Sequence, residues 1–237
     1  MKNIFTFIIA GIALLSAGSC SNTGNGAGTS SQGAPTQGDK SLRQFNEIKV
    51  AGAFQVIYSQ GDKCAVRIEA PQELKDKVIT MVDSKELTIS TKEELVGVGT
   101  NFSASDVKVY VISPSIKGIE LAGAGSFTTS GPIKTTLLDI DLTGSGLIDI
   151  TASTTCTNLE VELTGSGNVK IADVKTERLK TKVTGTGDVN YAMLNAGKVE
   201  SEITGTGNII LKGNAREHNQ SVTGTGKVDA TGLAVGK

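Results

Sequence analysis

From residue 117 onward, apolar and polar residues alternate in short runs, and the alternation restarts after each glycine-rich step. The phrases are LAGAGSF at 121–127, LTGSGLI at 142–148, LTGSGNV at 163–169, VTGTGDV at 183–189, ITGTGNI at 203–209 and VTGTGKV at 222–228. Counted between the first glycines (Gly123, Gly144, Gly165, Gly185, Gly205 and Gly224), the steps are 21, 21, 20, 20 and 19 residues. Self-similarity at that period marks a solenoid whose units bury themselves only against their neighbours. Two residues before the glycine stand Leu121, Leu142, Leu163, Val183, Ile203 and Val222. Four residues past it stand Phe127, Ile148, Val169, Val189, Ile209 and Val228. Each unit therefore reads as a strand, a corner, a second strand and a polar turn.

No unit carries the apolar period of 3.6 that a helical leucine-rich repeat requires, so the expected fold is all-β, a right-handed parallel β-helix with coils of about twenty residues. At the ordinary inter-strand spacing, six coils make a rod roughly 25 to 30 Å long. The corner glycines Gly144, Gly146, Gly165, Gly167, Gly185, Gly187, Gly205, Gly207, Gly224 and Gly226 are read as backbone geometry. A sharp corner stacked on an identical corner leaves little room for a Cβ and favours positive φ. The inward column turns polar toward the C terminus, through Thr181, Ser201 and Gln220, with His218 in a place held earlier by Leu or Val. That polarity predicts a wetter terminal coil acting as the cap.

The outward positions three and five before each glycine alternate in charge: Asp139/Asp141, Glu160/Glu162, Lys180/Lys182, Glu200/Glu202, then Asn219/Ser221. The lysine coil lies between two glutamate coils, where cross-strand attraction is worth a few tenths of a kcal/mol per pair, roughly. The acidic coils at 139–141 and 160–162 face each other without that relief. Asp139, Asp141, Glu160 and Glu162 are the candidate ligand-facing residues. They are also the one constellation suited to the paired-carboxylate chemistry of polysaccharide-cleaving β-helices, or to calcium. Against catalysis, a charged outer wall is the ordinary state of any solenoid, and the repeats hold no arginine before Arg178.

Between Phe45 and Glu120 short β-branched runs continue, with FNEIKVAGAFQVIYSQGD, KCAVRIEA, KELTIS and DVKVYVIS separated by turn residues. The stretch PQELKDKVI from Pro71 has room for two helical turns at most. These runs form either irregular early coils or a small capping sheet, in one continuous folded unit over 45–232 with regular repeats at about 117–230.

Residues 1–20, MKNIFTFIIAGIALLSAGSC, carry one early lysine, an apolar run from Ile4 to Leu15 and small residues before Cys20, the pattern of a secretory signal. The run is too short for a comfortable transmembrane helix. Ala17-Gly18-Ser19-Cys20 resembles a bacterial lipobox, which makes Cys20 the expected lipidation site and the membrane anchor. Residues 21–44 are mostly small and polar, a flexible tether of about 27 Å root-mean-square reach. Ser21 lacks the aspartate that resemblance to Gram-negative lipoproteins associates with inner-membrane retention, so the analogy implies the outer membrane, with the periplasmic or surface side open.

Other chemistry recedes. GTGDVN at 185–190 lacks the nine-residue recurrence of calcium nonapeptides, and the glycine corners lack the lysine and helix N terminus of a phosphate loop. His218 stands alone, so neither a zinc site nor a catalytic triad forms around it. No metal and no cofactor are expected. Lys plus Arg number 23 against 24 for Asp plus Glu, which gives no basic excess for nucleic acid. The absence of tryptophan lowers the weight of aromatic sugar platforms. Cys64 and Cys156 either bridge, as an exported protein permits, or stay independent, and sequence separation does not decide between them.

The opening F-N-E-I-K-V-A-G-A-F, the middle V-Y-V-I-S-P-S-I-K-G-I-E-L-A-G-A-G-S and the repeated G-S/T-G corners resemble the auto-transporter adhesin head, or GIN, domain family common in lipoproteins of Bacteroidetes. The resemblance covers about residues 45–230 and implies a non-enzymatic envelope lipoprotein acting as an adhesin or binding scaffold. It supplies no catalytic residues. The competing expectation is a polysaccharide-binding or polysaccharide-degrading β-helix protein using the acidic coils at 139–162. Self-association through exposed strand ends also remains open.

Overall fold

Alternation at period 2 places every second side chain of each run on one side of the backbone, and in the computed structural model those residues form one core. Residues 43–92 and 106–236 are described; the expected signal segment 1–20, the expected lipidation site Cys20 and nearly all of the expected tether at 21–44 lie outside them. The elements are β1 (Glu47–Ala51), β2 (Gln55–Gln60), β3 (Ala65–Glu69), α1 (Gln72–Lys75), β4 (Val78–Asp83), β5 (Glu86–Thr91) and β6 (Lys108–Ser113), followed by β7 (Gly118–Gly123), β8 (Ser126–Thr129) and β9 (Ile133–Lys134). Then come β10 (Leu137–Gly144), β11 (Leu147–Thr155), β12 (Asn158–Gly165), β13 (Asn168–Gly185), β14 (Asp188–Gly205), β15 (Asn208–Gly224) and β16 (Lys227–Val235).

Strands entering the corners stack in parallel as a leading sheet, in which β7, β10, β12 and the second halves of β13, β14 and β15 follow one another. Strands leaving the corners stack as a trailing sheet of β8, β11, the first halves of β13 to β15, and β16. The chain is thus an all-β solenoid whose corner glycines repeat about every twenty residues. Corner registers are strict: Gly123, Gly144, Gly165, Gly185, Gly205 and Gly224 sit directly over one another.

The early half supplies two further layers, and their order in space differs from their order in the chain. Strands β1 and β2 stack beneath β7 and β8, so Gly52, with φ +134°, is an additional corner below Gly123. Beneath that layer lie β5 and β6, although they follow β1 and β2 in sequence. The bottom edges are closed by antiparallel strands, β4 on β5 and β3 on β6, joined through the single-turn α1. Among the described residues between Phe45 and Glu120, both alternatives are therefore realised: early coil layers and a small antiparallel cap. Antiparallel capping ends a parallel ladder without offering another identical template.

The core column runs through Ile48, Val50, Phe54 and Val56 into the repeats, all buried. Tyr58 stacks on Phe127 with ring centroids 6.1 Å apart, and its hydroxyl meets the Ser113 hydroxyl at 3.1 Å. Polar residues of the upper inward column are matched in pairs: the Thr181 and Tyr191 hydroxyls lie 2.7 Å apart, and Ser201 Oγ lies 3.3 Å from His218 Nε2. Half-buried His218 has its pKa lowered by desolvation. The upper end of the leading sheet is open, with Gln220 exposed and Val222 at 39% of its full exposure. Cys64 and Cys156 are free thiols; Cys156 is buried beside the Thr176 hydroxyl and Cys64 lies near the Phe45 carbonyl.

Candidate ligand-facing ladder

Parallel pairing in strict register turns each outward position of the leading sheet into a column along the rod, with rungs about 4.8 Å apart. One column reads Lys49, Glu120, Asp141, Glu162, Lys182, Glu202 and Ser221. Its neighbour reads Glu47, Gly118, Asp139, Glu160, Lys180, Glu200 and Asn219. The four acids singled out in the sequence, Asp139, Asp141, Glu160 and Glu162, thus stand as a block of two by two, and Glu120 extends it by one rung.

Charge is balanced at the ends of this block. Lys49 pairs with Glu120 at 2.7 Å, and Lys180 pairs with Glu160. Lys180 has its pKa raised chiefly by its hydrogen bond to Glu160. Glu200 turns to Lys198 on its own strand, and that contact lowers its pKa. Asp141 keeps no such partner among the described residues. Desolvation among its neighbours, then the like charges of Glu162, Glu120, Asp139 and Glu160, push its carboxyl up to about 6. Asp139 is raised for related reasons, desolvation first and then Glu160 and Glu47. Glu47 reaches it because Gly118 between them has no side chain: a Cβ there would lie 3.1 Å from Glu47 Cγ. One carboxylate oxygen of Asp139, Oδ1, is buried without a hydrogen-bond partner. These acids are spread along a sheet, and no group of three or more His, Cys, Asp or Glu among the described residues converges to hold a metal ion.

Beside the charged columns runs a hydroxyl column, Thr143, Thr164, Thr184, Thr204 and Thr223, in register just before the corners. The residue after each corner glycine donates its amide to the glycine carbonyl one coil below, as Thr186 does to Gly165 at 2.8 Å and Thr206 to Gly185 at 2.9 Å. The ten glycines divide by role. Gly144, Gly165, Gly185, Gly205 and Gly224 have φ between +119° and +126°. Gly146, Gly167, Gly187, Gly207 and Gly226 lack positive φ, but a Cβ on each would lie 2.1 to 2.8 Å from the carbonyl oxygen of the glycine below.

A family model described as "Putative auto-transporter adhesin, head GIN domain" matches residues 44–189 and 159–237. The chain belongs to this family. Solved structures similar to this GIN domain include a "putative adhesin" from Bacteroides fragilis, with 21% identity and TM-score 0.65 over 80% of this chain and 93% of that one. A "putative lipid binding protein" from Parabacteroides distasonis matches at 21% identity and TM-score 0.63 over 79% and 93%. A "putative adhesin" from Parabacteroides merdae matches at 21% and 0.63 over 80% and 92%. At that identity the likeness of the GIN domain to them is one of fold. No curated protein matches the chain.

Two features of the GIN domain's ladder escape a reading of the repeats alone. Lys49 and Glu47 come from the early coil, whose V-A-G-A-F at 50–54 is the shared signal with L-A-G-A-G at 121–125. Phe54 there replaces the second corner glycine and fills the core, fully buried. The other is the column at 158, 178, 198 and 217, where each coil enters the leading sheet.

Proposed function

We propose that this GIN domain is a non-catalytic binding scaffold of the cell envelope, lipid-anchored through Cys20 to the outer membrane, whose leading sheet is offered to an external partner as an adhesin head. The observation that carries the reading is the ladder itself. Glycine corners hold hydroxyl, acidic and basic columns at fixed spacing on a rigid outer wall, which suits recognition of an extended partner more than enclosure of a small substrate. Relatives described as adhesins support it, as does the lipobox-like run ending at Cys20 followed by small polar residues. Protease and antibody accessibility on intact cells, beside a permeabilised control, tests the placement. Digestion without permeabilisation is the expected result, and protection until permeabilisation sinks the adhesin head.

One observation favours polysaccharide cleavage as a second reading: Asp141, with its pKa about 6, stands one rung from Glu162, and a raised carboxyl beside a second acid is the equipment of glycoside hydrolysis. Turnover of a polysaccharide panel by the chain, lost in Asp141→Ala/Glu162→Ala, is what that reading demands; no turnover removes it.

A further inference from the structure

Where coils enter the leading sheet, a trough of about 570 Å³ opens on the outer wall, and a second of about 550 Å³ adjoins it on the ladder. Asn158, Arg178 and Lys198 line both. They are successive rungs of one column, continued by Glu217. Gly197 forms part of the floor: a Cβ there would lie 2.4 Å from the Glu177 carbonyl oxygen and 2.5 Å from an Arg216 guanidinium nitrogen. Lacking that Cβ, Gly197 lets Arg216 reach across to Glu177 at 2.9 Å, and the ion pair walls one side. On the ladder side Lys180 is taken by Glu160, and Lys198 by Glu200. Arg178 forms no ion pair among the described residues, although its charge reaches Glu200 and helps to lower that carboxyl's pKa. Glu217 stands two rungs away, roughly 10 Å, with Lys198 between.

The backbone beneath Arg178 is fixed. Its amide donates to the Thr157 carbonyl at 3.0 Å, and its own carbonyl accepts from the hydroxyl of buried Thr176 at 3.0 Å. An exposed guanidinium on a fixed stem, with an amide on one side and an ammonium on the other, fits a planar carboxylate held by two parallel N–H bonds. The column spans three rungs from Asn158 to Glu217, about 14 Å, longer than a single carboxylate needs. Exposed Leu137 extends it at the lower end with an apolar surface for the carbon face of a ring.

We propose that this trough binds a carboxylate carried by an acidic polysaccharide, with Arg178 as the bidentate anchor, Asn158 and Lys198 beside it, and the sugar chain laid along the column toward Leu137. The proposal rests on the binding-scaffold reading and names its ligand class. A sulfated polymer would share the anionic chemistry, so polygalacturonate, its carboxyl-reduced counterpart and dextran sulfate are compared by calorimetry on the full chain at low salt. Polygalacturonate is expected to bind, the carboxyl-reduced polymer to fail, and Arg178→Gln to weaken binding ~10-fold to ~100-fold. Arg178→Lys should recover part of the loss, since a point charge replaces a fork, and Lys170→Gln on the trailing sheet should change nothing. Thermal melts of each variant check that the fold is kept. No binding of polygalacturonate by the native chain up to millimolar uronate overturns the proposal. So does unchanged affinity in Arg178→Gln, equal binding of the reduced polymer, or a preference for dextran sulfate. Exposure on cells without polyuronate binding would remove the ligand and leave the scaffold; protection on cells beside binding in solution would do the reverse.

Discussion

A Cβ on Gly185 would lie 2.3 Å from the carbonyl oxygen of Gly165, the glycine one coil below, and the Gly185 backbone already sits at φ +121°. Strain and overlap coincide at this corner, because the stacked register that places Gly185 over Gly165 also fixes its dihedral. Gly185→Ala should therefore destabilise the fold by on the order of 3 kcal/mol or more. Gly187→Ala should be costly by overlap alone, with its Cβ 2.2 Å from the Gly167 oxygen. Gly131→Ala, with nothing within 4 Å of its Cβ, should stay within about 0.5 kcal/mol of the parent. Urea denaturation of the three variants checks the order, and equal midpoints for Gly185→Ala and Gly131→Ala would refute it.

Buried polar pairs make a second prediction. Tyr191 is fully buried and its hydroxyl has one partner, Thr181, at 2.7 Å; burial drives the phenol pKa upward. Tyr191→Phe leaves the Thr181 hydroxyl without that partner in the core and should cost about 1 to 2 kcal/mol. Thr181→Val added to Tyr191→Phe should cost less than the two single changes summed, since no orphaned hydroxyl then remains. Additive losses in a double-mutant cycle would show that the pair is not coupled.

The repeats were legible because their period is marked by corner glycines whose Cβ would overlap the coil below, and Leu142, Leu163, Val183 and Ile203 all point inward as alternation requires. The layer below them was harder to read. Val50-Ala51-Gly52 stacks on Leu121-Ala122-Gly123, but nearly seventy residues separate the two, and β5 and β6 come later in the chain while lying beneath. A fold that inserts one coil out of order leaves no fixed step to count. The acidic block at 139–162 was visible from spacing, whereas the approach of Glu47 to Asp139 depends on Gly118 being small. Arg178 follows the same period as its neighbours. That it forms no ion pair among the described residues depends on side-chain directions that choose Glu160 for Lys180 and Glu177 for Arg216.

The thiols offer a third prediction. Cys64 is partly exposed near the start of β3, and Cys156 is buried where β11 turns into β12, with desolvation raising its pKa. In a Cys20→Ser chain, one thiol should react with a maleimide under native conditions and the second only on unfolding. Reductant should leave the mass and the melting temperature unchanged. A mass gain of one disulfide's hydrogens on reduction would contradict the free pair.

The acidic block makes stability depend on pH in an unusual direction. Asp141 ionises at about 6 in the folded chain and lower when unfolded, so between these values the folded state binds more protons. The contribution of Asp141 to stability should accordingly be full at and below about pH 4, fall as pH rises toward 6, and be lost above it. Solvent reaches this carboxyl, so screening reduces the loss to on the order of 1 kcal/mol. Asp141→Asn should be more stable than the parent at pH 7 by about that amount and should flatten this part of the profile. Added salt should narrow the difference, because Glu120, Glu162, Asp139 and Glu160 act through solvent-exposed fields. Urea midpoints measured from pH 4 to 8 for both chains decide the matter: a parent that gains stability toward pH 7 relative to Asp141→Asn would mean that Asp141 is held by a cation rather than crowded by acids.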